Sequence, residues 1–129
     1  MEFPSGLLYT KDHEWAQPGA DDTVTIGITD HAQEALGEVV YVELPKVGRE
    51  LKEHETFGVV ESIKAVSDLF SPVAGKVLDI NSAVVGDPAL VNSSAYKDGW
   101  LIRVKLADKN CLKDLMDAQK YTSYVQSLK

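Results

Sequence analysis

A lysine between two strand-like runs is the residue of this sequence best placed to carry chemistry. In Gly58-Val-Val-Glu61-Ser-Ile-Lys64-Ala-Val-Ser-Asp68-Leu-Phe-Ser-Pro72-Val-Ala-Gly75 two strand patterns meet with no Gly, Asn or Asp at the junction. That predicts Lys64-Ala65 as the loop of a two-residue β-hairpin, with Ile63 opposite Val66, Ser62 opposite Ser67 and Glu61 opposite Asp68. Lys64 then stands at the tip, in water and facing away from the core. Such an amine can accept a covalent group, but it is a poor nucleophile: an exposed lysine is mostly protonated at neutral pH, and no pocket is at hand to change that. Two carboxylates directly opposite repel by about 0.2–1 kcal/mol, so stability alone does not ask for Glu61 and Asp68. The expectation is that they form a recognition surface for an enzyme that modifies Lys64 and for partner enzymes. On spacing alone, Glu61 and Asp68 read more readily as ordinary solvated charges, and an exposed lysine is usually just a solvated lysine.

Other chemistries find less support. His13, His31 and His54 lack metal-site spacing and cysteine partners. The single cysteine, Cys111, lies in an apolar pattern and reads as a packed thiol. No Gly-rich phosphate loop follows a strand, and no Ser or Cys sits in a nucleophile motif. A formal charge of -7 argues against nucleic acid, which needs clustered cations, and would steer the chain toward basic protein surfaces. No apolar run is long enough to span a bilayer. Met1–Leu8 shows neither a basic-then-apolar leader nor an Arg-rich amphipathic pattern, so a cytosolic or already processed chain is expected.

The elements that must position Lys64 are mostly strands. Val24, Ile26 and Ile28 alternate with Thr23, Thr25 and Gly27, the mark of a half-buried strand. Similar runs at Val39–Leu44, Phe57–Ile63, Val66–Ser71, Gly75–Ile80 and Trp100–Leu106, with Pro and Gly between them, predict a β-sandwich or flattened barrel. In the last of these, Trp100, Ile102, Val104 and Leu106 are expected to point inward. A short helix should run from a cap at Thr29 or Asp30 to a stop at Gly37, with Ala32, Ala35 and Leu36 on its apolar side. Residues 81–99 read as a long loop with one helical turn. After Ala107, Asp108 or Asn110 can cap a helix bearing Leu112, Leu115 and Met116, followed by Tyr121, Tyr124, Val125 and Leu128 at helical spacing. With 129 residues, one domain is expected: a β unit over about 8–106 and a helical tail over about 107–129.

The hairpin closely resembles the attachment site of glycine cleavage H proteins, which reads roughly V-E-S-V-K-A-x-S-D-x-x-x-P-x-x-G; here Ile63 replaces Val. Further blocks match in order: His13-Glu14-Trp15, Gly27-Ile-Thr-Asp-His-Ala-Gln33, Leu36-Gly-Glu-Val-Val-Tyr-Val-Glu-Leu-Pro45, Leu90-Val-Asn92 and Tyr96-Lys-Asp-Gly-Trp100. The resemblance implies a lipoyl-domain-like fold (biotinyl/lipoyl hammerhead) and a non-catalytic carrier, expected to be monomeric, with lipoic acid joined by an amide to Lys64 as an arm of roughly ten to fifteen Å. It implies installation by a lipoate ligase or octanoyltransferase. Three visits would follow: a pyridoxal-phosphate glycine decarboxylase adds an aminomethyl group, a tetrahydrofolate-dependent aminomethyltransferase removes the methylene, and dihydrolipoamide dehydrogenase reoxidises the dithiol. The implied compartment is a bacterial cytoplasm, or a mitochondrial matrix for a processed chain. The resemblance also implies a surface cleft for the loaded arm, with Glu14 and Asp68 as candidates to hold its protonated amine. Asp12 and Ala35 fall where relatives often carry Ser and His, so the polar lining differs here. Biotin carriers usually set their lysine between methionines, unlike Ile63 and Ala65. Lipoyl domains of 2-oxoacid dehydrogenases are normally shorter and linker-joined. A lipoate relay or a redox-signalling role remains open on sequence.

Overall fold

The computed structural model describes residues 2–128. It is mainly β: β1 (Leu8–Tyr9), β2 (Glu14–Pro18), β3 (Thr23–Ile28), β4 (Val39–Glu43), β5 (Glu50–Leu51), β6 (Thr56–Ser62), β7 (Val66–Phe70), β8 (Gly75–Ile80) and β9 (Ile102–Leu106). The helices are α1 (Asp30–Leu36), α2 (Ser82–Gly86), α3 (Leu90–Ser93) and α4 (Ala118–Ser127). Six strands form an antiparallel sheet in the order β1-β2-β3-β9-β8-β5, and three form a second in the order β4-β6-β7. Among the described residues, no helix is long and apolar enough to cross a membrane.

The period-2 pattern explains how the sheets come together. Val24, Ile26, Ile28, Val77, Ile102 and Val104 from the larger sheet share one buried cluster with Val39, Val42, Val60 and Leu69 from the smaller. Burial of such side chains contributes roughly 1.5–3 kcal/mol each, before the entropy of ordering them is set against it. The alternate face of β3 is used as well. Trp15 is paired with Gly27 in register, and a Cβ on Gly27 would lie 2.6 Å from the indole. Only a residue without a side chain lets the ring lie flat there, and its Nε1–H donates to the Ala95 carbonyl at 3.0 Å. Trp15 joins Leu7, Tyr9, Tyr121 and Val125 in a second cluster that seats α4, with the Tyr9 and Tyr121 rings stacked at 4.6 Å.

Several sequence expectations need correction. The strand predicted from Trp100 begins at Ile102; Leu101 is fully buried, while half-buried Trp100 stacks under the Arg103 guanidinium at 4.2 Å. Residues 81–99 hold two short helices, α2 and α3, the first capped by Asn81. The expected helix through Leu112 and Met116 is instead a 3₁₀ segment, Lys109–Asp114, capped by Asp108. Met116 then pairs with Tyr9 as an isolated bridge, and a fresh cap at Asp117 starts α4. Helical spacing therefore ran across a break that the Asp117 cap creates. Tyr121 and Val125 are buried as expected, whereas Leu128 is exposed. The strands β1, β2 and β5 carry too few residues, or too irregular a pattern, to be read from alternation.

Candidate functional site

The hairpin that carries Lys64 is built differently from the sequence expectation. Glu61 pairs with Val66, Val60 with Ser67 and Val59 with Asp68, so four residues, 62–65, connect the paired positions instead of two. A slip of two residues keeps every side chain on its own face, so the hydrophobic pattern cannot distinguish the two registers. Ser62 decides between them. Its Oγ accepts from the Lys64 N–H at 3.3 Å and the Ala65 N–H at 3.0 Å, and its own N–H donates to the Ala65 carbonyl at 2.8 Å. A serine that bonds its own turn replaces the missing Gly or Asn. The tip is also pinned from outside: the Ile63 N–H donates to the Glu38 carbonyl at 3.1 Å, and Ser62 pairs with Val39. Lys64 is exposed on this braced tip.

Glu61 and Asp68 are consequently not opposite each other. They lie diagonally on the outer face of the smaller sheet, where the rows read Tyr41, Glu61, Val66 and Glu43, Val59, Asp68. Carboxylates alternate with apolar groups there, and Tyr41, Val66 and the tip residue Ile63 are among the most exposed large hydrophobic side chains of the molecule.

Beside β7 lies a cleft of about 190 Å³ lined by Asp12, His13, Glu14, Ile28, Ala32, Ala35, Leu36, Ser67, Asp68 and Leu69. It brings Glu14 and Asp68 together, and Asp12 and Ala35 with them. Helix α1 forms one wall, capped by the Thr29 hydroxyl accepting from the Ala32 N–H at 3.2 Å and ended by Gly37. Glu14 is the unusual member: it is 2% exposed, and none of the ion pairs among the described residues includes it. Its carboxylate accepts from the Thr10 hydroxyl at 2.7 Å and the Phe70 N–H at 3.4 Å. Burial pushes its pKa up to about 7, and nearby Asp12 adds to the rise, while the Thr10 and Phe70 hydrogen bonds oppose it. Asp68 stays exposed on the edge strand β7. A larger cleft of about 400 Å³, lined by Pro4, Trp15, Tyr96, Trp100 and Arg103 among others, contains no residue of the Lys64 hairpin and no buried carboxylate.

The sequence reading missed the second wall support. The Tyr121 hydroxyl of α4 lies 2.8 Å from both His13 Nδ1 and Thr29 Oγ1, which ties the C-terminal helix to the β2 side and the α1 side of the cleft at once. The His13 and His31 rings pack at 4.3 Å, and burial followed by His31 holds the His13 pKa below its ordinary value, against a raising contribution from Asp12. No spacing signal in the sequence links residue 121 to residue 13.

Comparison with known proteins identifies relatives over nearly the whole chain. Residues 7–128 match the family model described as glycine cleavage H-protein. The glycine cleavage system H protein of Chromohalobacter salexigens is 52% identical over 125 residues, covering 97% of this chain and 95% of its own. That of Thermus thermophilus is 49% identical over 127 residues, with 98% of each chain covered. A crystal structure of the H protein from Mycobacterium marinum superposes with a TM-score of 0.88 at 40% identity, covering 96% of this chain and 99% of that one. An exposed lysine on a braced hairpin, two packed β-sheets around one core, and near full-length similarity of this order place the chain in the glycine cleavage H-protein family.

Proposed function

We propose that this chain is the lipoyl carrier of a glycine cleavage system, with the lipoyl group in amide linkage to Lys64 Nζ. A lipoate ligase or octanoyltransferase installs the arm; the pyridoxal-phosphate glycine decarboxylase, the folate-dependent aminomethyltransferase and dihydrolipoamide dehydrogenase then meet it in turn. The observation that carries this reading is an exposed lysine on a doubly pinned tip, beside a cleft whose buried carboxylate has no cation partner among the described residues.

The residues present fit such a group. When bound, the dithiolane supplies the group-transfer and redox chemistry, accepting a one-carbon unit on sulfur and yielding two electrons on reoxidation. The chain supplies the mount and the harbour. Ser62 and the Glu38 carbonyl hold the tip in one conformation, so reach is set by the arm and not by a moving loop. Ile28, Leu36 and Leu69 offer an apolar lining to an aliphatic chain. Glu14, with a pKa of about 7, is a buried acceptor for an ammonium cargo, and pairing with that cation would repay the cost of leaving the carboxylate out of water. Thr10 and the Phe70 N–H fix its two oxygens in place, and Asp68 adds a second negative charge at the rim. No bond-making step is assigned to the chain itself. We assign it to a bacterial cytoplasm as a monomer.

Intact-mass measurement of protein from its native source, followed by peptide mapping, tests the reading. A lipoyl increment on Lys64, absent from Lys64→Arg, is expected, together with acceptance of the one-carbon unit from the decarboxylase. A bare Lys64 in cells that make lipoic acid would overturn the carrier role. A lipoylated chain that the decarboxylase cannot load would leave a relay instead.

A further inference from the structure

The block Leu90-Val-Asn92 has no role in the site as described so far, and neither does Gly37 beyond ending α1. The two residues meet at the hairpin. Asn92 Nδ2 donates to the Gly37 carbonyl at 2.8 Å and to Gln33 Oε1 at 3.0 Å, while Asn92 Oδ1 accepts from the Val39 N–H at 2.9 Å. A single side chain on α3 thus fixes both ends of the 37–39 connection. Between those ends lies Glu38, whose carbonyl takes the Ile63 N–H, one residue before Lys64.

Gly37 itself has φ 82 and ψ -155, a region essentially reserved for glycine. The vacancy on its Cα is used. A Cβ there would lie 3.3 Å from Lys64 Cε, 3.8 Å from Nζ and 3.9 Å from Cδ. The lysine stem therefore lies along the bare backbone just past α1, the helix whose Ala35 and Leu36 line the cleft that holds Glu14.

We infer that Gly37 and Asn92 are positioning residues for the arm: Gly37 is a side-chain-free seat that turns the Lys64 stem toward the cleft, and Asn92 holds that seat against the hairpin. This rests on the reading of Lys64 as the arm-bearing residue. A tip that projected freely would distribute its arm over all directions. A stem laid on Gly37 begins its path at the cleft wall, which raises the effective concentration of the arm's end at Glu14.

Two substitutions test it. Gly37→Ala fills the seat but strains the backbone. Asn92→Asp is nearly isosteric, keeps the acceptor for the Val39 N–H and replaces the donor to the Gly37 carbonyl with an oxygen, so it decides the matter if Gly37→Ala does not fold. The first readout needs no lipoate: in the unmodified wild-type chain, NMR cross-relaxation between the Lys64 ε-methylene and the Gly37 α-protons is expected, and Asn92→Asp should weaken it. The second uses lipoylated protein loaded by the decarboxylase. Release of the one-carbon unit as formaldehyde should be about five-fold faster in Asn92→Asp than in wild type, and the difference should vanish when both carry Glu14→Gln, since a misdirected arm cannot lose a partner it no longer reaches. Unchanged release, or the same five-fold increase in the Glu14→Gln background, would overturn the inference. A wild-type chain that takes no lipoyl group at Lys64 would instead sink the carrier reading, and the mass spectrum separates that failure from this one.

Discussion

Lys64 on its hairpin is a basic group and Glu14 in its cleft an acidic one, and the fold treats them in opposite ways. Lys64 is held in water on a tip whose N–H groups are taken up by Ser62 within the turn and by the Glu38 carbonyl from outside it. Glu14 is taken out of water into the wall, supported by two neutral donors and, among the described residues, by no cation. Exposure at Lys64 costs nothing in solvation and keeps an acylating enzyme's access open. Burial at Glu14 is unfavourable in the empty protein, as its raised pKa records. The contrast teaches that the mount is built for stability in the free chain, whereas the harbour is left incomplete until a cation arrives. A buried, unpaired carboxylate is a poor way to stabilise a β-sandwich and a good way to hold an amine.

The strongest test of that contrast removes the charge at Glu14. In the fold Glu14 ionises near pH 7, against an ordinary value of 4.5, so between those values the native state keeps a proton that the unfolded chain has lost. The contribution of Glu14 to stability therefore falls as pH rises through this window, by up to about 3 kcal/mol, and is level above it. Glu14→Gln should abolish this slope: urea titrations at about pH 4 and pH 8 should show the variant gaining on wild type by about 1–3 kcal/mol at the higher pH. The same variant should release its one-carbon cargo about ten-fold faster or more, because a charged hydrogen bond to the amine is lost. A variant that keeps the wild-type slope would show that Glu14 is compensated after all, and the harbour would lose its physical basis.

How much of this was legible in the sequence follows the same division. The mount was largely readable, because alternation at residues 57–63 and 66–71, the Thr29 and Gly37 boundaries of α1, and the order of matching blocks are local signals. Its register was not, since a two-residue slip leaves alternation unchanged and only the Ser62 hydroxyl breaks the tie. The cleft was named through resemblance, and Glu14 and Asp68 do share one, but nothing local marked Glu14 as buried. Its burial depends on α1 and on the β6–β7 sheet closing over β2, contacts separated by tens of residues. Tyr121, reaching His13 and Thr29 from α4, is invisible to periodicity for the same reason. The helix break before Asp117 was missed because spacing alone does not register a new cap.

A smaller effect is expected at the mount. Ser62→Ala deletes the acceptor for the Lys64 and Ala65 N–H groups, both of which can turn to water at the exposed tip, so the loss of stability should be about 1 kcal/mol. The looser tip should lower the rate of lipoylation several-fold while the final extent, read by intact mass, still reaches completion. If the rate is unchanged, the tip's rigidity does not matter to the modifying enzyme, and the distinction between a finished mount and an unfinished harbour weakens on the mount's side.

The smallest effect on the fold belongs to the carboxylates on the outer face. Glu61 and Asp68 are diagonal, not opposed, so the repulsion expected from the two-residue hairpin is largely relieved, and Glu61→Gln with Asp68→Asn should change stability by less than about 0.5 kcal/mol. If they serve recognition, their effect appears in encounter. An acidic surface attracts a basic partner most at low ionic strength, so the wild-type rate of lipoylation should fall as salt is added. The double variant should start several-fold lower and depend less on salt. A rate that matches wild type at every salt concentration would return both residues to the class of solvated charges, leaving exposed apolar side chains such as Tyr41, Ile63 and Val66 as the candidates for recognition. A salt-insensitive drop would mean that the carboxylates act by contact at the docked tip, with the charge contributing little to steering.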